Sequence, residues 1–507
     1  MDAKSFYGRK SAKVVTIGEA VEVVESHREP RSIVILPPES GDTALDSDVE
    51  DVPQTMTNDD AIFEAAGEAE VEYFQSSGSE AESSAQEEEE MPAGPVSKRR
   101  KKQYTKKAPK SWKKQSKFTT PLVQDSRPQN VADSHQELIA LSPFQLWQQL
   151  FDEATMNLLV EQTLLYATRD RNEKDFVVDR NEICRLLGIL LLSGYHSLPN
   201  ETDYWSNQPD LGVPVVTASL SKNRYMAIKR NLHLADNQNL QVGNKAAKVQ
   251  QLYDILNTNL TKFGVWHANL SIDESMVPYF GKSSLKMFIR GKPIRFGFKL
   301  WSLCATNGYP YHLQIYTGRD ISSNGEPLGT RVVKSMVDVL SRHSNTESHS
   351  LYFDNFFTSY QLLSELREQN VKATGTIRQF RTGGLHSIFP TDKEMKKQPR
   401  GSFDYRSDGN VFVVKWHDNS IVNLASNFET HLPVRNVSRR VKGKSNTCVT
   451  QPNLVKSYNE NMGGVDVMDR LLGSYRLMCS SSVIISALAF FTLLDTMCIS
   501  LIVIYML

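Results

Sequence analysis

Four aspartates carry the chemistry this sequence could do. Asn269-Leu270-Ser271-Ile272-Asp273-Glu274 reads as a short buried strand with a carboxylate at its end. His349-Ser350-Leu351-Tyr352-Phe353-Asp354 repeats the pattern and runs into a helix start at Ser359. Asp466 and Asp469 follow Gly463-Gly464 at the head of a helical pattern, spaced i and i+3 on one helix face. Two strand-end carboxylates and a third on a late helix suit phosphodiester chemistry. Three such groups repel one another unless divalent cations lie between them. Two Mg²⁺ ions so held activate an attacking oxygen and steady a leaving one. Taken singly, each of these acids reads more readily as an ordinary surface charge at an element end than as a catalytic group.

The elements that must position them span most of a 507-residue chain, long enough for two or three domains. Its zero net charge hides a segregation. Residues 1–97 hold 23 acidic and 6 basic residues, a net of −17, so residues 98–507 carry +17. A basic body with an acidic tail points to a polyanionic partner. From Ser32 to Ser97 there is no Lys or Arg, and residues 1–97 are expected to be a disordered tail. The sign then flips at Lys98-Arg99-Arg100-Lys101-Lys102, with further lysines up to Lys117. This basic linker, residues 98–135, reads as a nuclear-import signal first and a DNA-backbone contact second. Five scattered cysteines with no C-x-x-C pair read as a reduced, intracellular pattern with no zinc-site spacing. Met1–Ser5 has no apolar stretch behind it, so no signal peptide is expected.

Residues 136–265 read as helical. Ser142 and Pro143 look like a cap and a first helical position, Ile183–Leu192 like a buried helix, and Ser221 like another start. Lys229 and Arg230 there suit either phosphate or a solvated helix face. Beyond Asp273, the cations Lys282, Lys286, Arg290 and Lys292 lie in a loop interleaved with Phe280 and Phe288, a pattern suited to a polyanionic substrate such as DNA. Two strands, Gly297–Cys304 and Tyr309–Tyr316, meet at Asn307-Gly308, a strong hairpin signal. Residues 378–455 read as a mostly β insertion, with one hairpin across Asp418-Asn419 and His417 as a turn residue. The last element is expected to start at Tyr458. From Val483 the chain is nearly all apolar to Leu507. Asp495 in mid-run favours a core helix there over a membrane anchor, and a membrane is not an expected partner.

Together these motifs resemble the piggyBac transposable element-derived proteins, a transposase family of the DDE/DDD class. The resemblance runs from about Ser142 onward. It rests on Leu232–Asn237, Asp273–Met276, Tyr316–Gly318, Phe353–Ser359, Gly375–Arg378 and Gly463–Asp466. It implies an α/β fold: a ribonuclease-H-like core over 266–377 and 456–507, split by the insertion and preceded by a helical dimerisation and DNA-binding region. It implies metal-dependent cleavage and transfer of DNA strands at transposon ends by a nuclear homodimer, with no small-molecule substrate. Asp273, Asp354 and Asp466 would bind two Mg²⁺ or Mn²⁺ ions, with Asp469 as an accessory acid; Arg378 joins the DNA-contacting set. The family's Cys-rich zinc module has no counterpart up to Leu507. That supports the alternative of a domesticated nuclear DNA-binding protein without catalysis.

Overall fold

The computed structural model describes residues 14–16, 33–35, 68–71, 112–115, 135–279, 283, 285–289, 294–318, 325–439 and 447–474. The chain divides into two units, Met1–Lys107 and Ala108–Leu507. In the first, Val14–Thr16, Ile33–Ile35 and Glu68–Val71 form a small antiparallel sheet with the last strand in the middle. All three strands lie inside the tract expected to be disordered; Val14–Thr16 and Ile33–Ile35 are runs of β-branched residues able to pair, and Glu68–Val71 alternates Glu with Ala and Val.

The second unit begins with helices whose caps are written in the sequence. Helix α1 (Pro143–Leu150) has Pro143 at its first position and a reciprocal capping box between Ser142 and Gln145. Helix α2 spans Glu153–Leu165, and α3 (Arg180–Tyr195) starts with a second box, Asp179 with Glu182. Helices α4 (Pro214–Ser219), α5 (Lys222–Asn231, capped by Ser221) and α6 (Ala247–Leu260) follow. Leu159, Ile183, Leu187, Ile228, Leu252 and Leu256 bury their shared faces in the main core. Lys229 is neither a phosphate contact nor part of a wet face. It is 4% exposed and ion-paired with Glu201, which also accepts from the Tyr225 hydroxyl. Twenty-eight residues separate Lys229 from Glu201, so periodicity along α5 could not reveal the pair.

The sheet comes next: β1 (Asn269–Pro278), β2 (Met287–Phe288), β3 (Phe296–Ala305), β4 (Pro310–Ile315), β5 (Ser350–Phe353) and β6 (Lys372–Thr376). The β3–β4 hairpin turns where expected, with Gly308 at φ 91°. Strand β1 pairs antiparallel with β3 and parallel with β5, and β5 pairs parallel with β6. Helix α7 (Leu328–His343) leads from β4 to β5, and α8 (Tyr360–Glu368) links β5 to β6.

Strands β7 (Phe403–Ser407), β8 (Phe412–His417) and β9 (Ile421–Ser426) form a meander that continues the same sheet, β9 lying against β6. Among the described residues the order is β7-β8-β9-β6-β5-β1-β3-β2, with β4 also on β3. Alternation along β8 divides its side chains. Val413 joins the main core, while Phe412, Val414 and Trp416 build a second core with Val449 and Leu454. Short helix α9 (Asp392–Lys396) precedes the meander, and β10 (Arg435–Arg439) pairs with β11 (Thr447–Gln451) after it. Helices α10 (Asn453–Asn461) and α11 (Gly464–Ser474) end the described chain. The sequence suggested one final element from Tyr458. There are two, because the chain breaks helix at Met462-Gly463 and Gly464 opens the next. The apolar run from Val483 lies outside the described residues. Among those described, no helix is long and apolar enough to cross a membrane.

Candidate active site

Strand β1 does not end at Asp273. It continues to Pro278, because β3 keeps pairing with it as far as Pro278 opposite Gly297. What stops near Asp273 is the parallel partner: the last β1–β5 pair is Ile272 with Phe353. The next residue on each chain is an aspartate, Asp273 and Asp354, leaving backbones about 4.8 Å apart. Asp354 begins a tight turn. Its Oδ1 accepts from the Phe356 amide at 2.9 Å, and its carbonyl accepts from the Thr358 hydroxyl at 2.6 Å. Buried Phe357 anchors that turn, and Phe356 stacks on Trp301 at 5.5 Å. Lys299, 2% exposed, sets its ammonium 4.1 Å from the Trp301 ring centre and 5.2 Å from Phe356.

Helix α11 reaches this edge by a very close approach. A Cβ on Gly464 would sit 2.3 Å from the Ala305 carbonyl oxygen and 2.6 Å from the Ser271 hydroxyl. Val465 and Met468 are buried, with the Met468 sulfur 3.6 Å from that of Cys304. This seating puts Asp466 in the first turn, exposed, and Asp469 half-buried one turn on.

Two side chains, one half-buried and one buried, register the acids around them. Tyr458 on α10 lies within hydrogen-bond range of the Thr376 hydroxyl, 3.5 Å away. Burial first, then the charges of Asp354, Asp273 and Asp466, push its phenol well above the ordinary range. The Cys304 thiol is raised by burial and, to a smaller extent, by Asp469 and Asp273. The four aspartates therefore share one edge of the sheet. Among the described residues, no three Asp, Glu, His or Cys side chains stand close enough to hold an ion as they are. The donor set itself, all carboxylate oxygen, suits a hard divalent cation such as Mg²⁺ or Mn²⁺.

The expected DNA-contacting cations fare unevenly. Arg378 is at the edge, donating to the Asn355 side-chain oxygen at 3.3 Å. Lys286 is exposed in the loop after β1, and the strand alone carries that loop about 16 Å beyond Asp273. Lys282, Arg290, Lys292 and Lys98–Lys102 lie outside the described residues. Sequence reasoning missed Arg381, which donates to the Asn355 and Phe356 carbonyls at 3.1 and 2.8 Å and so holds the turn after Asp354. It also missed Tyr458. The only hint of Arg381 was its repeat of Arg378 three residues on; nothing local marked Tyr458.

A family model described as Transposase IS4 matches residues 142–499. The chain belongs to this transposase family. It is 38% identical over 345 residues to PiggyBac transposable element-derived protein 2 of Homo sapiens, and 37% identical over 339 residues to PiggyBac transposable element-derived protein 3. Each alignment covers 66% of this chain. The chain spans 57% and 56% of the length of those relatives. A solved piggyBac transposase synaptic complex with hairpin DNA matches with a TM-score of 0.61 at 22% identity, over 73% of this chain and 76% of that one. At that identity the likeness speaks for the fold. The match begins at Ser142, so the transposase relationship takes in the helical region, the sheet, the insertion and the acidic edge.

Proposed function

We propose that this transposase-family chain binds DNA and cuts and rejoins its strands at element ends, through a ribonuclease-H-like core. The observation that carries this is the acidic edge: Asp273 and Asp354 side by side on parallel strands, with α11 pressed against β1 and β3. The core reading is supported by the order β4-β3-β1-β5-β6 with β1, β5 and β6 parallel. Asp273, Asp354 and Asp466 are the proposed ligands for two Mg²⁺ or Mn²⁺ ions, with Asp469 as the accessory acid. Bound there, the ions would lower the pKa of an attacking water and offset charge on the leaving oxygen. The chain's own part is positional. The β1–β5 register fixes the first two carboxylates, the turn after Asp354 is held by Arg381, and Gly464 sets the reach of α11. Arg378, at that same turn, is placed to meet a backbone phosphate. DNA as partner is supported by the solved neighbour, itself a complex with hairpin DNA. A homodimer and a nuclear location belong to the same proposal, the latter resting on Lys98–Lys102.

A second reading is a DNA-binding relative without chemistry. It is favoured by the spread of the acids, which make no ready ion-holding group among the described residues. Calorimetry with Mn²⁺ and Mg²⁺ on the full chain separates the two. Binding by the parent, lost in both Asp273→Asn and Asp354→Asn while their circular dichroism is unchanged, is the expected result. A folded parent that binds neither ion would end the enzymatic reading and leave the second.

A further inference from the structure

Residues 112–115 lie ahead of residue 142, where the family match begins, yet they belong to the second unit and pack on it. Strand β7 is the outer strand of the meander, paired on its inner side with β8. On its outer side the Lys113 amide donates to the Ser407 carbonyl at 2.9 Å, and the Ser407 amide donates back to the Lys113 carbonyl at 2.9 Å. The next residue, Asp408, holds the β7–β8 turn. Its Oδ1 accepts from the Asn410 and Val411 amides, each at 3.0 Å. Its Oδ2 accepts from the Tyr360 hydroxyl at 2.6 Å. Burial first, then that carboxylate, push the Tyr360 phenol up to about 12, so the hydroxyl stays a donor at neutral pH.

Tyr360 is the first residue of α8. Thr358, two residues earlier, gives its amide at 3.2 Å and its hydroxyl at 2.6 Å to the Asp354 carbonyl. Trp112 packs on the main core and meets the Tyr360 ring edge-on at 5.6 Å. Its Nε1 donates to the Gly383 carbonyl at 3.4 Å. Gly383 is two residues beyond Arg381, which donates to the Asn355 and Phe356 carbonyls. Thr382 closes that loop on itself, its hydroxyl donating to the Gln379 carbonyl at 2.6 Å. Trp112 therefore touches both arms that hold the turn after Asp354, the start of α8 and the Arg381 loop. Its neighbour Lys113 completes a ring of contacts through Ser407, Asp408 and Tyr360.

We propose that Trp112 is a positioning residue for Asp354, so that a segment outside the family-matched region completes the acidic edge. The inference rests on the reading of Asp354 as a ligand to a divalent ion. Its physical basis is that a ligand stays in place only when the groups behind it are themselves locked by packing and hydrogen bonds. Removing the indole deletes the contact with Tyr360 and the bond to Gly383 together. The start of α8 and the Arg381 loop can then shift independently, and the carboxylate between them shifts too.

Two readouts on the full chain test it. Hydrogen–deuterium exchange over residues 353–360 reports the turn itself, because the Phe356 and Thr358 amides both bond to Asp354. Calorimetry with Mn²⁺ reports the ion site. Trp112→Ala is expected to speed exchange over 353–360 while α3 exchanges as in the parent. It is expected to weaken Mn²⁺ binding by roughly tenfold, the low end for groups that orient a ligand from outside the site. Trp112→Phe keeps a ring against Tyr360 and should stay closer to the parent than to Trp112→Ala in both readouts. Lys113→Pro, which deletes the bridging amide, should follow Trp112→Ala. Lys114→Gln should follow the parent, since Asp404 keeps its ion pair with Arg406 when that with Lys114 is lost. If Trp112→Ala speeds exchange in α3 as much as over 353–360, the residue serves general stability and the assignment is overturned. A Trp112→Ala protein that binds Mn²⁺ like the parent overturns it equally. A parent that binds no Mn²⁺ would instead overturn the reading of Asp354 as an ion ligand, and the positioning role with it.

Discussion

Glu429 is a half-buried carboxyl group, and its surroundings set how stability depends on pH. It accepts from the Ser457 hydroxyl at 2.5 Å and lies 3.4 Å from that of Thr374, while the Tyr352 hydroxyl is 2.9 Å from Ser457. The cluster joins β5, β6 and α10, two residues before Asp354 and one before Tyr458. Burial pushes the carboxyl up to about 7, against hydrogen bonds from Ser457, Thr374 and Tyr352 that pull it down. A folded pKa above the unfolded one means the native state holds a proton that the unfolded chain releases. Stability from this group is therefore full below the unfolded value, near 4.5, and is lost as pH rises toward 7, at up to about 1.4 kcal/mol per pH unit. Glu429→Gln should remove that slope and leave the variant more stable than the parent above pH 7. Urea melts at pH 5 and pH 7.5 check it; an unchanged slope would contradict the assignment. None of this was legible in Asn427-Phe428-Glu429-Thr430, which reads as a polar loop. Its burial is made by Ser457, 28 residues on. Lys229 escaped for the same reason, whereas the side-by-side placing of Asp273 and Asp354 was legible because an acid following a short apolar run is a local pattern.

At the scale of elements, the acidic edge depends on how near α11 can come to β1 and β3. Gly464→Ala would place its methyl 2.3 Å from the Ala305 carbonyl oxygen, which is backbone and cannot swing aside. The helix must retreat, at a cost of about 1–3 kcal/mol. Asp466 and Asp469 retreat with it, and a displacement of about 1 Å is enough to spoil a positioned site. The expected outcome is a lowered melting temperature in a folded protein whose Mn²⁺ affinity falls further than its stability. Ser271→Gly should not restore it, since the Ala305 contact remains; calorimetry and thermal melts on both variants decide. The elements themselves were largely readable. The caps at Ser142 and Ser221 and the turn at Asn307-Gly308 are local chemistry and stand where expected. Two boundaries were not readable. Strand β1 outruns Asp273 because β3, some thirty residues later, keeps pairing with it. The final helical pattern splits at Met462-Gly463, and Gly464, which opens the next helix, serves a packing contact with strands far back in the chain.

Over the whole molecule, the dominant pattern is the separation of charge between a tail of −17 over residues 1–97 and a body of +17. Composition alone revealed it, and the family match, running over residues 142–499, lies entirely within the basic part. On electrostatic grounds, a polyanion drawn to that body is expected to compete with the chain's own acidic segment for cations. Tethering gives the tail a high local concentration that does not fall on dilution. The competition is electrostatic, so added salt weakens it within a Debye length of about 10 Å at 0.1 M. Removing residues 1–97 should therefore raise the affinity for duplex DNA of arbitrary sequence several-fold at low salt, and the gain should shrink steadily as salt rises. The truncated protein should also show the steeper salt dependence, because more of its cations are free to displace counterions from DNA. Anisotropy titrations of the full and shortened chains, on one duplex across a salt series, measure both quantities together. Equal affinities at low salt would mean that the tail does not compete for the DNA-facing cations, and that the charge separation acts on solubility instead.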